Sequence, residues 1–344
     1  MTISAAVRLP FARRWTTPAQ HRVALRAGLA VLVALTATWQ LDRLNWAAYA
    51  MFGAFPTVYG GPLRWSGRVR LHVAMGLLLT GAVTDAAAVG TFDNRRWVAI
   101  PVVASWAVLA AALSDRFRWR PPGPLIPVFA VATAAAVPAS GTDVIAAPLV
   151  CGATAAFAIL LGVVEHTVFP LRDPRPAPPF PLPDRRRQQL HAVRCGVAVA
   201  VAGTITTSLG IGRPYWSMVA AVVPLGIPGL RAQLRRGLHR AGGTLLGLAL
   251  AAVLLELRLP TPAVVVCLAL LQVLTELVVV ANYLAGLVFI TPMALLLVHL
   301  SVPGSIGPLL ADRLAETLIG LGVGLLTAVL TRRRDVPGPG ESAS

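Results

Sequence analysis

Apolar runs of about 20 residues, the length that crosses a bilayer as a helix, recur along this chain between short polar or Pro/Gly-bearing breaks. They predict six spans near 23–41, 46–61, 71–91, 97–113, 124–139 and 144–169. Six more follow near 191–210, 215–229, 239–257, 261–279, 281–300 and 309–331. Between the two sets lies RDPRPAPPFPLPDRRR, from Arg172 to Arg187, whose prolines remove backbone donors and clash with preceding carbonyls. It reads as an extended linker. The C-terminal DVPGPGESAS is polar and rich in Gly and Pro, a composition that does not bury a core. The chain thus divides into an N-terminal segment (1–22), a first six-helix repeat (23–170), a Pro/Arg-rich linker (171–190), a second six-helix repeat (191–332) and a disordered tail (333–344).

The two sets look like copies. Trp46 and Trp216 are 170 residues apart, as are Arg70 and Arg240, and Pro56, Arg64 and Gly76 occupy roughly the places of Pro224, Arg235 and Gly247. His21-Arg-Val-Ala-Leu-Arg26-Ala-Gly28 parallels His191-Ala-Val-Arg194-Cys-Gly196 at the mouth of each first span. Six spans is an even number, so both halves enter the membrane from the same side and form a parallel repeat. The predicted fold is an all-α polytopic membrane protein of about twelve transmembrane helices.

Composition agrees: 56% of residues are hydrophobic, 13% are charged, and the mean hydropathy is +0.72. All thirty basic residues are arginine, giving a net charge of +16. In a soluble protein that balance would point to nucleic acid, but here the arginines sit in short loops between apolar runs, so nucleic acid is excluded as a partner. With the N-terminus cytoplasmic, 24 of the 30 fall on the inside and six outside: Arg43, Arg95, Arg96, Arg213, Arg258 and Arg313. The positive-inside rule therefore places both termini in the cytoplasm and the protein in the plasma membrane. Arg8, Arg13 and Arg14 precede no compact apolar core with a cleavage site, so no removed signal peptide is expected. Cys151, Cys195 and Cys267 are far apart and lie in or beside apolar runs, and they read as small core residues.

Candidate chemistry concentrates in YWSMVAAVVPLGIPGLRAQLRRGLHRAGGTLLGL, Tyr215 to Leu248. The second span of each half is short and broken, by Pro56, Gly60 and Gly61 in one copy and by Pro224, Pro228 and Gly229 in the other. Such spans expose backbone dipoles to a cavity and point to a binding site, the plainer alternative being a kink for packing. Arg236 and Arg240 share a helix face, and with Arg70 they could bind carboxylates at the cytoplasmic mouth. Trp46 and Trp216 would anchor at the headgroups or stack on an aromatic substrate. Gly243 and Gly247 form a GxxxG spacing suited to helix packing or to a substrate path. Glu276, in an otherwise apolar stretch, is the first candidate for proton coupling and Glu316 the second, with pairing to Arg313 as the plainer reading of Glu316. No nucleophile-base pair, metal-spaced cluster or P-loop is visible, so neither an enzyme, a cofactor nor a metal is expected.

The run Trp216, Arg235-Arg236, Arg240-Ala-Gly-Gly243-Thr244-Leu-Leu-Gly247 resembles the membrane module of the fusaric acid resistance and aromatic acid exporter superfamily. Asn282-Tyr283 with Phe289-Ile-Thr291-Pro, and Arg313-Leu-Ala-Glu316-Thr-Leu-Ile-Gly320, are similar to later segments of that module. The first half lacks the Gly-Thr pair after Arg70 and is similar only loosely. What the resemblance implies is proton-driven export of aromatic or other organic acid anions, with Arg240, Arg236 and Arg70 gathering the anion. A distant similarity to plant aluminium-activated malate channels keeps a passive anion channel as an alternative, and a non-transporting, lipid-binding scaffold is a second. Many bacterial members are similar in carrying a large soluble region, where this chain has only its short linker. The expected partners are the bilayer and an organic anion, with a homo-oligomer left open.

Overall fold

A computed structural model of the chain describes residues 18–59, 63–170, 184–302 and 304–331. Most of the N-terminal segment, Gly60 and Gly61, the linker from 171 to 183 and the tail after 331 lie outside the described residues. The elements are helical: α1 Pro18–Gln40, α2 Ala47–Ala54, α3 Trp65–Gly90, α4 Arg95–Phe117, α5 Leu125–Ala135 and α6 Gly141–Val168, then α7 Arg185–Ser208, α8 Tyr215–Val222, α9 Leu230–Glu256, α10 Thr261–Val278, α11 Tyr283–Ser301 and α12 Ile306–Leu330. Nine of these are long and apolar enough to cross a membrane. Large apolar side chains such as Leu77, Leu149 and Leu246 remain exposed in mid-helix, as a lipid-facing surface requires. The interior is built largely of alanine, the small-residue packing of membrane helices.

Three of the twelve expected spans are not full-length helices. α2 and α8 have eight residues each and rise only about 12 Å at 1.5 Å per residue. Each continues into a single 3-10 turn, Phe55–Val58 and Pro224–Gly226, opened by Pro56 or Pro224. α5 holds eleven residues because prolines bound it: Pro121, Pro122 and Pro124 lie before its first turn, and Pro138 follows its end. These short helices are buried in protein, where irregular backbone at membrane depth is tolerated.

Two helix starts differ from expectation. α7 begins at Arg185, inside the stretch read as linker, because the Asp184 side chain accepts the Arg186 N–H and caps it. α9 begins at Leu230, nine residues before the expected 239, so Arg231, Arg235, Arg236 and Arg240 all ride on helix rather than loop.

Contacts between elements set the chain direction. Arg22 Nη1 donates to the Phe169 carbonyl (2.6 Å), bringing the start of α1 to the end of α6. At the opposite end the Ala139 N–H meets Gly90 O (3.0 Å) and Ser301 Oγ meets Leu44 O (3.3 Å). α1 packs on α10, and α7 packs on α4; α3 lies against α5 and α6, and α9 against α11 and α12.

The broken turns are gripped by basic side chains from the first helix of their own half. Arg26 Nη2 donates to Thr57 O (3.2 Å), and His191 Nε2 meets Leu225 O (3.1 Å). Arg26 is also ion-paired to Glu165 (2.6 Å), and His191 to Asp115 (2.6 Å). At the far end, carboxylates hold the other extremity of each broken segment. Asp143 Oδ1 accepts from Trp46 Nε1 (2.7 Å) and Asn45 Nδ2 (3.0 Å), while Glu316 accepts the backbone N–H groups of Arg213 (2.8 Å) and Trp216 (3.2 Å). The short helices α2 and α8 are thereby fixed at both ends.

Candidate functional site

Residues of both halves enclose a cavity of about 1160 Å³. Its walls come from the start of α1, the turn after α2 (Phe55, Val58), the irregular segment Arg120–Gly123 ahead of α5, the first turns of α9, the end of α10 and the start of α11. Exposed Arg120 and Arg235 mark its rim, so it opens at the arginine-rich end of the bundle. Its inner part is apolar, with Ile126, Phe129, Val219, Ile290 and Met293.

Basic side chains are graded along this cavity. Arg235 on the rim is exposed, Arg236 and His239 are half-buried, Arg240 is 4% exposed and Arg313 is 0% exposed. The spacing within α9 explains the first four: positions 235 and 239, and 236 and 240, are one turn apart and turn toward the same space. Arg313 enters from α12. Tyr283, at the first turn of α11, organises two of them: the Arg236 guanidinium lies 4.3 Å from its ring centroid, and Arg240 Nη1 reaches its hydroxyl at 3.5 Å. Arg313 lies 3.8 Å over the indole of Trp216. No carboxylate of the described residues is ion-paired to Arg236, Arg240 or Arg313. Buried and without a protein partner are Nε of Arg236, Nε of Arg240, and both Nε and Nη1 of Arg313.

Glu276 is the acid that lines the cavity, 7% exposed, with Gln272 Nε2 donating to its Oε1 at 2.8 Å. Glu316 is fully buried outside the lining, engaged with the backbone N–H groups that open α8. The expected pairing of Glu316 with Arg313 is absent from the ion pairs of the described residues, because its oxygens are turned to those N–H groups.

The structure therefore brings together Arg236, Arg240, Glu276 and, one layer behind Arg313, Trp216. It separates the others. Arg70 is exposed, with Nε donating to Ser66 O (3.3 Å), and it does not line the cavity. Its offset from Arg240 misleads because six residues separate Val58 from Trp65 and only three separate Gly226 from Leu230. Arg70 is consequently the sixth residue of α3, and Arg240 the eleventh of α9. Trp46 precedes α2 and is half-buried, its Nε1 donating to Asp143, whereas Trp216 lies inside α8, fully buried. Pro224 is buried in the turn after α8. Gly243 and Gly247 face α11: a Cβ on Gly243 would stand 2.6 Å from Leu284 O, and one on Gly247 2.6 Å from Thr291 Cβ.

Sequence reasoning missed three contributors. Arg313 was counted with the outer arginines because Asp312 and Glu316 beside it resemble a span boundary; its place inside the predicted last span was the available signal. Tyr283 gave none beyond its neighbour Asn282, and the segment Arg120–Gly123 looked like an ordinary loop. Among the described residues no three His, Cys, Asp or Glu side chains gather as a metal site would need.

Residues 199–327 match a family described as "Fusaric acid resistance protein-like". An uncharacterized membrane protein of Bacillus subtilis, YvaC, is 31% identical over 148 residues. The alignment covers 42% of this chain and 23% of that protein, so this chain spans under a quarter of its relative's length. No solved structure matches the chain.

Proposed function

We propose that this protein moves organic anions across the membrane as a proton-coupled exporter of aromatic or other organic acids. The observation that carries the reading is the pair of buried arginines in one cavity, Arg240 and Arg313, neither of them ion-paired to a carboxylate among the described residues. An isolated buried charge is costly, and an anion drawn from solution offsets that cost in a way a structural ion pair would not allow. The exposed arginines at the rim attract anions by long-range field, and the apolar interior accommodates the hydrocarbon body of an organic acid. The family match of the second half supports a transporter-type membrane protein.

On this reading the helices form two parallel six-element repeats, supported by the reciprocal packing of α1 on α10 and α7 on α4. Both termini lie in the cytoplasm of the plasma membrane, and the cavity opens there, supported by the crowding of arginines at that end. Glu276, the acid inside the cavity, exchanges a proton as the anion passes.

The test is uptake of a panel of labelled aromatic and aliphatic carboxylates into inside-out vesicles, with and without an imposed proton gradient. Gradient-dependent accumulation is expected, and Glu276→Gln should keep anion equilibration while losing accumulation. Equilibration without accumulation in the unaltered protein would replace the exporter with a channel. Absence of flux for every acid would overturn the anion reading.

A further inference from the structure

The proposed function concerns the cavity as a whole; its inner end carries a more specific site. Arg313 is the most completely buried cation of the described residues, 0% exposed, and it sits in the cavity wall. Among the described residues no carboxylate forms an ion pair with it. Glu316, on its own helix, spends its oxygens on the N–H groups of Arg213 and Trp216. Asp312 is taken by the Arg213 guanidinium at 3.1 Å. Arg240, from α9, is close enough to repel Arg313, Glu316 attracts it without an ion pair, and the remaining titratable neighbours are the phenols of Tyr215 and Tyr283.

The Trp216 indole occupies one face of the Arg313 guanidinium at 3.8 Å. A cation-π contact uses the face of the cation, whereas its N–H donors point outward in the guanidinium plane. Nε and Nη1 of Arg313, and Nε of Arg240, are buried donors without a partner in the protein. Such donors on two like charges, neither of them ion-paired to a carboxylate, require an acceptor, and the geometry of a guanidinium edge suits two oxygens at once.

We propose that Arg313 and Arg240 together form a carboxylate-binding niche at the closed end of the cavity, with Trp216 as the platform that holds the Arg313 plane. The proposal rests on the anion-transport reading above and names the residue at which the acid group docks. The organic body then lies toward Phe129, Ile290 and Met293, the apolar part of the wall. The ligand class is an amphipathic monocarboxylate with its charge innermost. Because Glu316 lies one turn along α12 from Arg313 and also caps α8, the niche is mechanically tied to the broken helix.

The experiment uses the full chain, purified in detergent, with benzoate as the probe. Binding is followed by the shift in melting temperature and by indole fluorescence. The unaltered protein should bind benzoate saturably with both signals. Trp216→Phe should remove most of the fluorescence response while retaining the thermal shift. Arg313→Gln should weaken binding at least about tenfold, the loss of a charge-assisted pair, and Arg313→Lys should weaken it less. Arg235→Gln, on the rim, should change affinity by less than about threefold. Photolabelling of the unaltered protein with azidobenzoate needs no variant to fold, and its adducts, formed by the ring, should map to α5 and α11. Saturable binding that is indifferent to Arg313→Gln, or adducts confined to the rim of α9, would overturn the niche and leave anion transport standing. An unaltered protein that binds neither benzoate nor any other carboxylate of the transport panel would overturn both.

Discussion

Arg26 and Arg240 are both buried arginines near the arginine-rich end of the bundle, 8% and 4% exposed, yet their surroundings differ in kind. Arg26 meets Glu165 at 2.6 Å and the Thr57 carbonyl at 3.2 Å, and so ties α1 and α6 to the broken turn after α2. Arg240 has only a long contact to a phenol and faces a cavity that holds a second unpartnered arginine. Burial alone therefore does not mark a functional arginine in a membrane protein; the missing carboxylate does. One cation closes the fold, and the other leaves a place for a charge from outside.

Breaking the structural member of the comparison should have the largest effect. Arg26→Leu leaves Glu165 without its partner and frees the Thr57 carbonyl, and should cost about 3 kcal/mol, near the low end for a buried pair because Glu165 keeps 22% side-chain exposure. A lowered melting temperature in detergent, with loss of folded yield, is the readout. Gly243→Ala tests packing beside the cavity without touching a charge: its Cβ would press on Leu284 O and Leu287 Cβ, at 2.6 and 2.7 Å, and should cost about 1–3 kcal/mol. Its expected signature is lower stability at an unchanged preference among anions. Arg70→Ala should do least, because the side chain is exposed and bonds only its own helix; stability should stay within about 0.5 kcal/mol, and transport within about twofold.

Much of this contrast was legible in the sequence, for physical reasons that can be named. Prolines at 56 and 224 forecast the broken second elements because they cap short helical runs with a turn. The four-residue spacing of Arg236 and Arg240 forecast a shared face, and Glu276 stood out as an acid in an apolar run. The register between the halves was not legible. A connection three residues longer in the first half shifts the positions after it, so Arg70 takes the helix place of Arg235 rather than of Arg240, while Trp46 stands just ahead of α2 and Trp216 inside α8. Arg313 was hidden because hydropathy locates a helix end but not whether the arginine near it turns outward or into protein. The partner of each charge is tertiary information: nothing near Arg26 announces Glu165, 139 residues away.

The central claim is that the cavity arginines serve an anion rather than the fold. The most direct test reconstitutes equal amounts of the unaltered protein, Arg240→Gln and Arg26→Leu into liposomes and measures labelled benzoate flux together with the melting temperature in detergent. The account predicts that Arg240→Gln melts no lower than the unaltered protein yet loses at least about tenfold in flux per folded molecule, while Arg26→Leu loses stability first. Full flux through Arg240→Gln, or a stability loss in it as large as that of Arg26→Leu, would contradict the account.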